Sequence, residues 1–480
     1  MITLTVALPL LAAFQLPLAG PLRYALGPAV PLAMAWLALQ AWAPAQAEPF
    51  VIAIGGFRPP LGIAFYVDTI AVLLNLAVAA CVLLLWPWGT GADAARKQSL
   101  TLLLAGASAG LALSGDLFNV YVFYELVAVA SYGLAAGRGT GAGYAAAFRY
   151  LVVSSLGSLL ALIGITLIYF RAGTLNLAHL AELAPAALHD PLGLSAFLLL
   201  LVGLGVKAEM FPVNAWVPEV YAAAESRVSA LLAGLVSKLA VLVLVRLLVL
   251  VFPLDEARLA LLVLGTLGIV TGELAAWRAR DLTRMLSFSS IGQLGIVLVA
   301  FAIPGEAGLA AGLAVAVHHL IAKPALFLLA ERWGGSIEAL AGAGLRSKLG
   351  GALFVLFALS LVGVPPLPGF WAKFLTLSGL AAQSGAAWWL AAAAILLTTV
   401  VEASYLFRVV GRLYAPDDEG RAAAQGRLQL AGAGVLGACL IAAAAGAVPL
   451  GEALKHMAAQ AGDRPAYIER VLRPHPEVAQ

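Results

Sequence analysis

Apolar runs of about twenty residues follow one another along almost the whole chain, separated by clusters of proline, glycine and charge. A helix of about 20 residues crosses a hydrocarbon core about 30 Å thick, and lipid offers no other partner for backbone polar groups outside a closed barrel. The 480 residues hold roughly a dozen or more such spans. Only 11% of residues are charged, against about a quarter in soluble domains. The chain is therefore read as an all-α polytopic membrane protein. Its net charge of +3 gives no nucleic-acid footprint, because the basic residues lie in loops. Cys81 and Cys439 each sit in an apolar run and indicate neither a disulfide nor a thiolate metal site. The first residues, MITLTVALPLLAAF, lack a basic leader region and read as a span.

Cutting at the polar clusters predicts about fourteen spans. They lie at 2–20, 24–43, 62–86, 99–115, 117–136, 148–170, 193–223, 227–252, 257–276, 284–303, 306–331, 351–379, 386–410 and 428–449. The seventh and twelfth are expected to be broken. The tail from Gly451 is polar enough to leave the membrane, with AYIERVL as a short helix. Arg23, Arg96, Lys97, Arg138, Arg149, Arg227, Arg278, Arg280, Arg284, Arg332, Arg346, Lys348, Arg408, Arg412, Arg421 and Arg427 fall in odd-numbered loops. Arg58, Arg171 and Arg258 fall in even ones. The positive-inside rule makes the odd loops cytoplasmic and both termini external, in a cell inner (cytoplasmic) membrane; the basic tail is a mild exception. No loop is long enough for a nucleotide-binding fold or redox centre. GAGLRSKLGG matches neither phosphate-binding glycine pattern. No cofactor or metal is expected.

The stretch LGVKAEMFPVNAWVPEVYAAA, 204–224, carries Lys207, Glu209, Pro212, Asn214, Pro218 and Glu219 among apolar segments. A lysine at bilayer depth costs about 2.5–3.5 kcal/mol on insertion scales, so it should face protein or a wet cavity. A proline there frees a carbonyl that only neighbours or water can satisfy. VGVPPLPGFWAKFL repeats the pattern in reverse, with Pro365, Pro366, Pro368 and Gly369 preceding Lys373. Two halves of opposite topology would show this reversal, and charge beside a broken helix is how many transporters build an ion site. An ion-translocating membrane subunit is the reading that follows.

Removing loop and interface charges leaves Asp68, Glu125, Lys207, Lys238, Arg246, His318, His319, Lys323, Lys373 and Glu402. Burial disfavours the charged form of carboxylates and lysines alike, bringing charged and neutral forms close in free energy, as proton conduction requires. Glu125 paired with Lys207 would titrate as a coupled unit; the bland alternative is a static ion pair. Lys238 has no sequence neighbour to pair with, and snorkelling is its alternative. Arg246 is equally an interfacial or a supporting group. His319 and Lys323 are four apart on one helical face, and Pro324 is expected to weaken the helix there. Histidine passes protons near neutrality, and spacing favours His319 over His318. Lys373 would end the line. Glu402 is placed for a role with it, and Asp68 for a water-accessible cap.

These stretches resemble the antiporter-like subunits shared by Mrp-type cation/proton antiporters, respiratory complex I and membrane-bound hydrogenases. The resemblance runs through DLFNVYVFYELVAVASYGL, LIGITLIYFRAGTLN, VKAEMFPVNAWVPEVYAAAESRVSALLAGLVSKLAVLVLVR, RDLTRMLSFSSIGQLGIV, HHLIAKPALFLLAERW and GVPPLPGFWAKFL. Within the family, the histidine–lysine pattern, Lys373 and AYIERVL are most similar to the Mrp-type Na+/H+ antiporter members. The resemblance implies two inverted five-helix repeats around a hydrophilic axis, with helices seven and twelve broken. It divides the chain into helices 1–3 (1–98), a first repeat of helices 4–8 (99–252), a second of helices 9–13 (253–410), and helix 14 with an extracytoplasmic tail (411–480). It makes Glu125 and Lys207 the glutamate–lysine pair, Lys238 the central lysine, His319 and Lys323 the relay, and Lys373 the terminal lysine. ERWGGS departs from the expected glycine-led turn, and Glu402 matches no family role.

The resemblance also implies partner membrane subunits, with protons and a monovalent cation, Na+ first, as the transported ions. The same module in a redox-driven complex is the nearest alternative. A non-conducting scaffold held by static charges is another, and a solute carrier a weaker one.

Overall fold

The computed structural model describes residues 1–333, 335–416 and 426–473, leaving aside the side chain of Arg332. Helices dominate. Leu4–Gln15 (α1), Arg23–Ala47 (α2) and Thr69–Leu84 (α3) form the N-terminal group. Gly91–Leu113 (α4), Leu117–Ala135 (α5), Gly141–Ala172 (α6), Leu177–Ala187 (α7), Pro191–Gly205 (α8) and Val217–Ala223 (α9) follow. Ser226–Leu231 (α10) and Ser237–Arg246 (α11) are joined by a π-helical turn at Leu232–Val236, and a second π turn follows at Leu247–Val251. Next come Asp255–Arg278 (α12), Leu282–Ala302 (α13), Gly305–Trp333 (α14), Ala343–Arg346 (α15), Lys348–Val362 (α16), Pro368–Ala381 (α17) and Ala386–Leu413 (α18). Arg427–Ala445 (α19), Ala447–Gly462 (α20) and Arg464–Leu472 (α21) close the described chain. Among the described residues, nine helices are long and apolar enough to cross a membrane, or ten if one bent pair is a single span. The expected count of fourteen includes shorter apolar helices such as α3 and α8 that do not reach that length on their own.

Helix boundaries follow side-chain capping. Asp116 accepts from the N–H groups of Phe118 and Asn119, and Asp281 accepts from that of Arg284, at the starts of α5 and α13. The third span begins later than expected. Strand Phe50–Ala53 (β1) pairs antiparallel with Ala64–Val67 (β2), and α3 starts only after Asp68, whose Oδ1 accepts from the Ala71 N–H at 2.7 Å. Pro324, expected to break its helix, does not: α14 runs continuously through it. The proline ring fills the space that a Cβ on Gly234, in the facing π turn, would occupy, so the neighbouring helix is shaped around it. The breaks after α8 and α16 are real: the chain is non-helical around Pro212, and from Gly363 to Leu367 around Pro365 and Pro366, with Pro368 and Gly369 opening α17.

Helices α12 and α13 meet along glycines. A Cβ on Gly272 would lie 2.6 Å from the Gly292 nitrogen, so the two backbones touch as small-residue membrane seams do. The segment Ser226–Val251 and α13 are the most enclosed, with 94% of each apolar window buried, whereas α6, α12 and α18 are under half buried there. The buried lysines at 207, 238, 323 and 373 ride on the enclosed helices and the broken ones.

The hairpin, α7 and the C-terminal helices gather at one end. Gln460 accepts from Thr69 Oγ1 at 2.7 Å, Arg470 reaches Glu48 at 3.2 Å, Arg473 reaches Glu182 at 2.6 Å, and Tyr467 packs edge-on against Tyr66. The tail expected to leave the membrane at Gly451 thus packs back onto the even loops, with α20 already helical from Ala447. At the opposite end a cleft of about 790 Å³ is lined by Arg138, Arg278, Arg280 and Arg284, from odd loops and helix ends. Arg421 lies outside the described residues.

Candidate functional site: a buried line of charge

In the first half, α8 stops at Gly205 and the chain turns back on itself, with the Met210 N–H bonding the Gly205 carbonyl at 2.9 Å and the Trp216 indole donating to Val206 O at 3.1 Å. This irregular backbone is tolerated because protein surrounds it. Lys207, 2% exposed, donates to Ser154 Oγ at 3.0 Å and sits 3.3 Å above the Tyr124 ring. It does not close on Glu125: among the described residues the two are outside ion-pair distance, and the buried Glu125 Oε1 has no hydrogen-bond partner. The ring face of Tyr124 makes the direct contact that the carboxylate does not.

Lys238, without a neighbour in sequence, acquires one in space. Its Nζ contacts His319 Nδ1 and the Ala233 carbonyl, and donates to Ser237 Oγ at 3.2 Å. Ala233 lies in the π turn; a single wide turn of this kind frequently marks a functional place in a helix. His319 continues to Ser290 Oγ at 3.5 Å, and Lys323, fully buried, donates to Ser289 Oγ at 2.7 Å. The neighbouring His318 turns away, its Nε2 lying 2.9 Å from Ser360 Oγ on α16. The two histidines therefore serve different directions: His319 meets the central lysine and His318 faces the second break.

In the second half, Lys373 donates to Glu402 Oε2 at 2.7 Å and to Thr399 Oγ1 at 3.2 Å. Gln293 holds the other Glu402 oxygen at 2.6 Å. Glu402, which matches no family role, is thus the direct partner of the terminal lysine. Arg246 donates to both Asp68 oxygens at 3.1 Å and to Ser114 O at 3.2 Å, an ion pair at the end occupied by the hairpin. Asp68 is a cap as expected, but a buried one paired with Arg246 rather than a water-accessible one.

Two further buried acids join these residues, neither of them among the candidate site residues drawn from the sequence. Glu273 is 2% exposed on α12, where the Tyr405 hydroxyl donates to Oε2 at 2.8 Å and Oε1 has no partner. Its place five residues before the helix end makes it resemble an interface charge; the glycine before it, at the seam with α13, is the available signal. Glu209 lies in the first broken stretch beside the more conspicuous Lys207. It is 1% exposed, with the Tyr221 hydroxyl 2.6 Å from Oε1. Buried within the molecule, then, are lysines at 207, 238, 323 and 373, acids at 209, 273 and 402, and both histidines, with Glu125 half-buried. Such a constellation has the means to hold, exchange and pass protons.

A family model described as NADH:quinone oxidoreductase/Mrp antiporter, transmembrane, matches residues 114–401. An NADH-quinone oxidoreductase subunit from Desulforudis audaxviator is 31% identical over 77% of this chain and 76% of its own. A Na+/H+ antiporter subunit from Bacillus subtilis is 31% identical over 69% and 70% respectively. Among solved structures, a chain of the archaeal membrane-bound sulfane sulfur reductase superposes with a TM-score of 0.91 at 29% identity, covering 98% of this chain and 99% of that one. A chain of the Mrp complex from Dietzia sp. gives 0.89 at 25% identity with the same coverage. The matched region spans both broken helices and every buried lysine, and the chain belongs to the NADH:quinone oxidoreductase/Mrp antiporter family of membrane subunits.

Proposed function

We propose that this chain is the proton-translocating subunit of a multi-subunit monovalent cation/proton antiporter, with Na+ the first candidate cation. Protons pass along Glu125, Lys207, Lys238, His319, Lys323 and Lys373. The observation that carries this is the direct contact of Lys238 with His319, which joins helices 81 residues apart at the centre of the molecule. A static scaffold has no use for two proton-exchanging bases in contact, since buried charge of this kind stabilises poorly. The clustering of the odd-loop arginines at one end supports a cytoplasmic placement of that end, with the hairpin and tail outside. Lys207→Ala and Glu125→Ala are expected to abolish antiport in everted vesicles while the complex still assembles. Near-normal exchange in both variants overturns the reading.

A second reading places the same chain in a redox-driven complex. The likeness to a chain of the sulfane sulfur reductase and to a subunit of an NADH-quinone oxidoreductase favours it. Co-purifying partners separate the two: iron–sulfur subunits support redox drive, and a small all-membrane set supports the antiporter.

A further inference from the structure

Glu209 stands out in the backbone as well as in burial. With φ at 55° it is, among the described residues, the single one other than glycine with a positive φ. A bulky side chain in that region is strained, and such strain persists where surrounding structure over-determines it, often at functional sites. The turn that imposes it is the break after α8, and it aims the Glu209 side chain inward, two residues from Lys207. A glycine would meet the same turn without strain, so the turn alone does not call for a carboxylate.

Oε1 is held by the Tyr221 hydroxyl at 2.6 Å, whereas Oε2 is buried and has no hydrogen-bond partner. Among the described residues no ammonium or guanidinium lies within ion-pair distance. The polar groups facing it are Tyr221 from α9, Lys238 from α11, Ser290 from α13, Lys323 from α14 and Tyr150 from α6. They belong to both halves of the molecule. Tyr221 is itself wedged between Trp216 and Phe327 in edge-on ring contacts, which fixes the donor and leaves the carboxylate one free position.

We propose that Glu209 is a proton-carrying residue at the junction of the two halves, loading and unloading a proton on Oε2 while Tyr221 holds Oε1. A carboxylate taking a proton from the Lys238 ammonium becomes a neutral acid and leaves a neutral amine; passing that proton to the neutral amine of Lys323 restores the carboxylate. Each transfer conserves protons and needs no other reactant. The role rests on the proton-relay reading above and adds to it a station between Lys238 and Lys323, beside His319.

The test uses the whole complex in everted vesicles. Glu209→Gln retains an oxygen to accept from Tyr221 but carries no proton, and is expected to lower exchange at least tenfold with assembly intact. Glu209→Asp should recover part of the rate with a shifted pH profile. Infrared difference spectra between acid and alkaline pH should lose a protonated-carboxyl band in Glu209→Gln. Glu209→Gly, which suits the turn, should assemble and remain inactive. Wild-type exchange and pH profile in Glu209→Gln, with Lys207→Ala inactive, overturns the role of Glu209 and leaves the relay standing. Wild-type exchange in Lys207→Ala as well overturns both. Failure of the Gln and Gly variants alike to assemble assigns Glu209 to structure and overturns the proposal.

Discussion

The segments 114–251 and 280–413 are built on one plan and charged differently. In each, a capping aspartate opens a long enclosed helix and bridges to a distant turn: Asp116 to Asn176, Asp281 to Ser336. The hydrogen bonds match as well. Leu117 donates to Leu175 O and Leu177 to Gly115 O, while Leu282 donates to Gly335 O and Ile337 to Arg280 O, all at 2.8–2.9 Å. The first bridge sits at the hairpin end and the second at the arginine end, as inversion requires. Yet Lys207, before its break, rests on a tyrosine face and a serine, and Lys373, after its break, is clamped by Glu402. One lysine is held loosely and the other in an ion pair, so two segments of one plan hold their lysines unlike. On the relay proposed above, charge would move easily at the first and need release at the second.

The sharpest way to break this contrast is to remove the compensation. Glu402→Ala leaves Lys373 buried without its carboxylate and is expected to cost about 3–5 kcal/mol, read as a lower thermal midpoint of the purified complex. Lys207→Met removes a cation that no carboxylate contacts and should leave that midpoint nearly unchanged. Equal losses would show that the two lysines are held alike.

A smaller difference is expected at the helix seams. Gly272→Ala drives a methyl against the Gly292 backbone, which has no freedom to yield, at a cost of about 1–3 kcal/mol. Gly157→Ala in the first half meets Val206 Cγ2 at 2.5 Å and backbone, the Gly203 oxygen, only at 3.0 Å, so its backbone contact is the looser one. Thermal midpoints should therefore fall further for Gly272→Ala; the reverse order would put the tighter seam in the first half.

The smallest effect concerns acid. Asp190 caps α8, and the Gly193 N–H at 2.8 Å, with the Arg171 guanidinium beside it, holds its carboxyl below the usual carboxylate range. A depressed folded value means that this contribution is present above the unfolded pKa and lost as pH falls through the folded one. The start of α16 has no side-chain cap. Hydrogen-exchange protection at the start of α8, measured against the intrinsic rate at each pH, should fall in acid, with no matching fall at α16; an equal fall at both would rule out the cap as the cause.

Much of the fold and part of the site is legible in the sequence, and the division has a physical basis. Lipid admits helices and penalises every charge, so the apolar runs, the two proline-marked breaks and the lysines at 207, 238, 323 and 373 stand out from composition and spacing alone. The hairpin of β1 and β2 does not, because its strands are short, and α20 does not, because its polar residues face Gln46, Thr69 and the even loops once folded. Glu273 looks like an end-of-helix charge because span ends are the least defined feature of an apolar run.

What the sequence determined by itself is which residues are buried against their solvation and where the helices give way, since both depend on the solvent and on local backbone chemistry. The pairing of Glu402 with Lys373 was open to sequence reasoning, but only the tertiary structure decided the other partners: His319 rather than a carboxylate for Lys238, a tyrosine ring for Lys207, Tyr221 for Glu209. It also decided that α14 passes unbroken through Pro324, because Gly234 on a facing helix makes room for the ring. Helices distant in sequence meet by packing, and a single span's pattern carries no record of which neighbour it will meet.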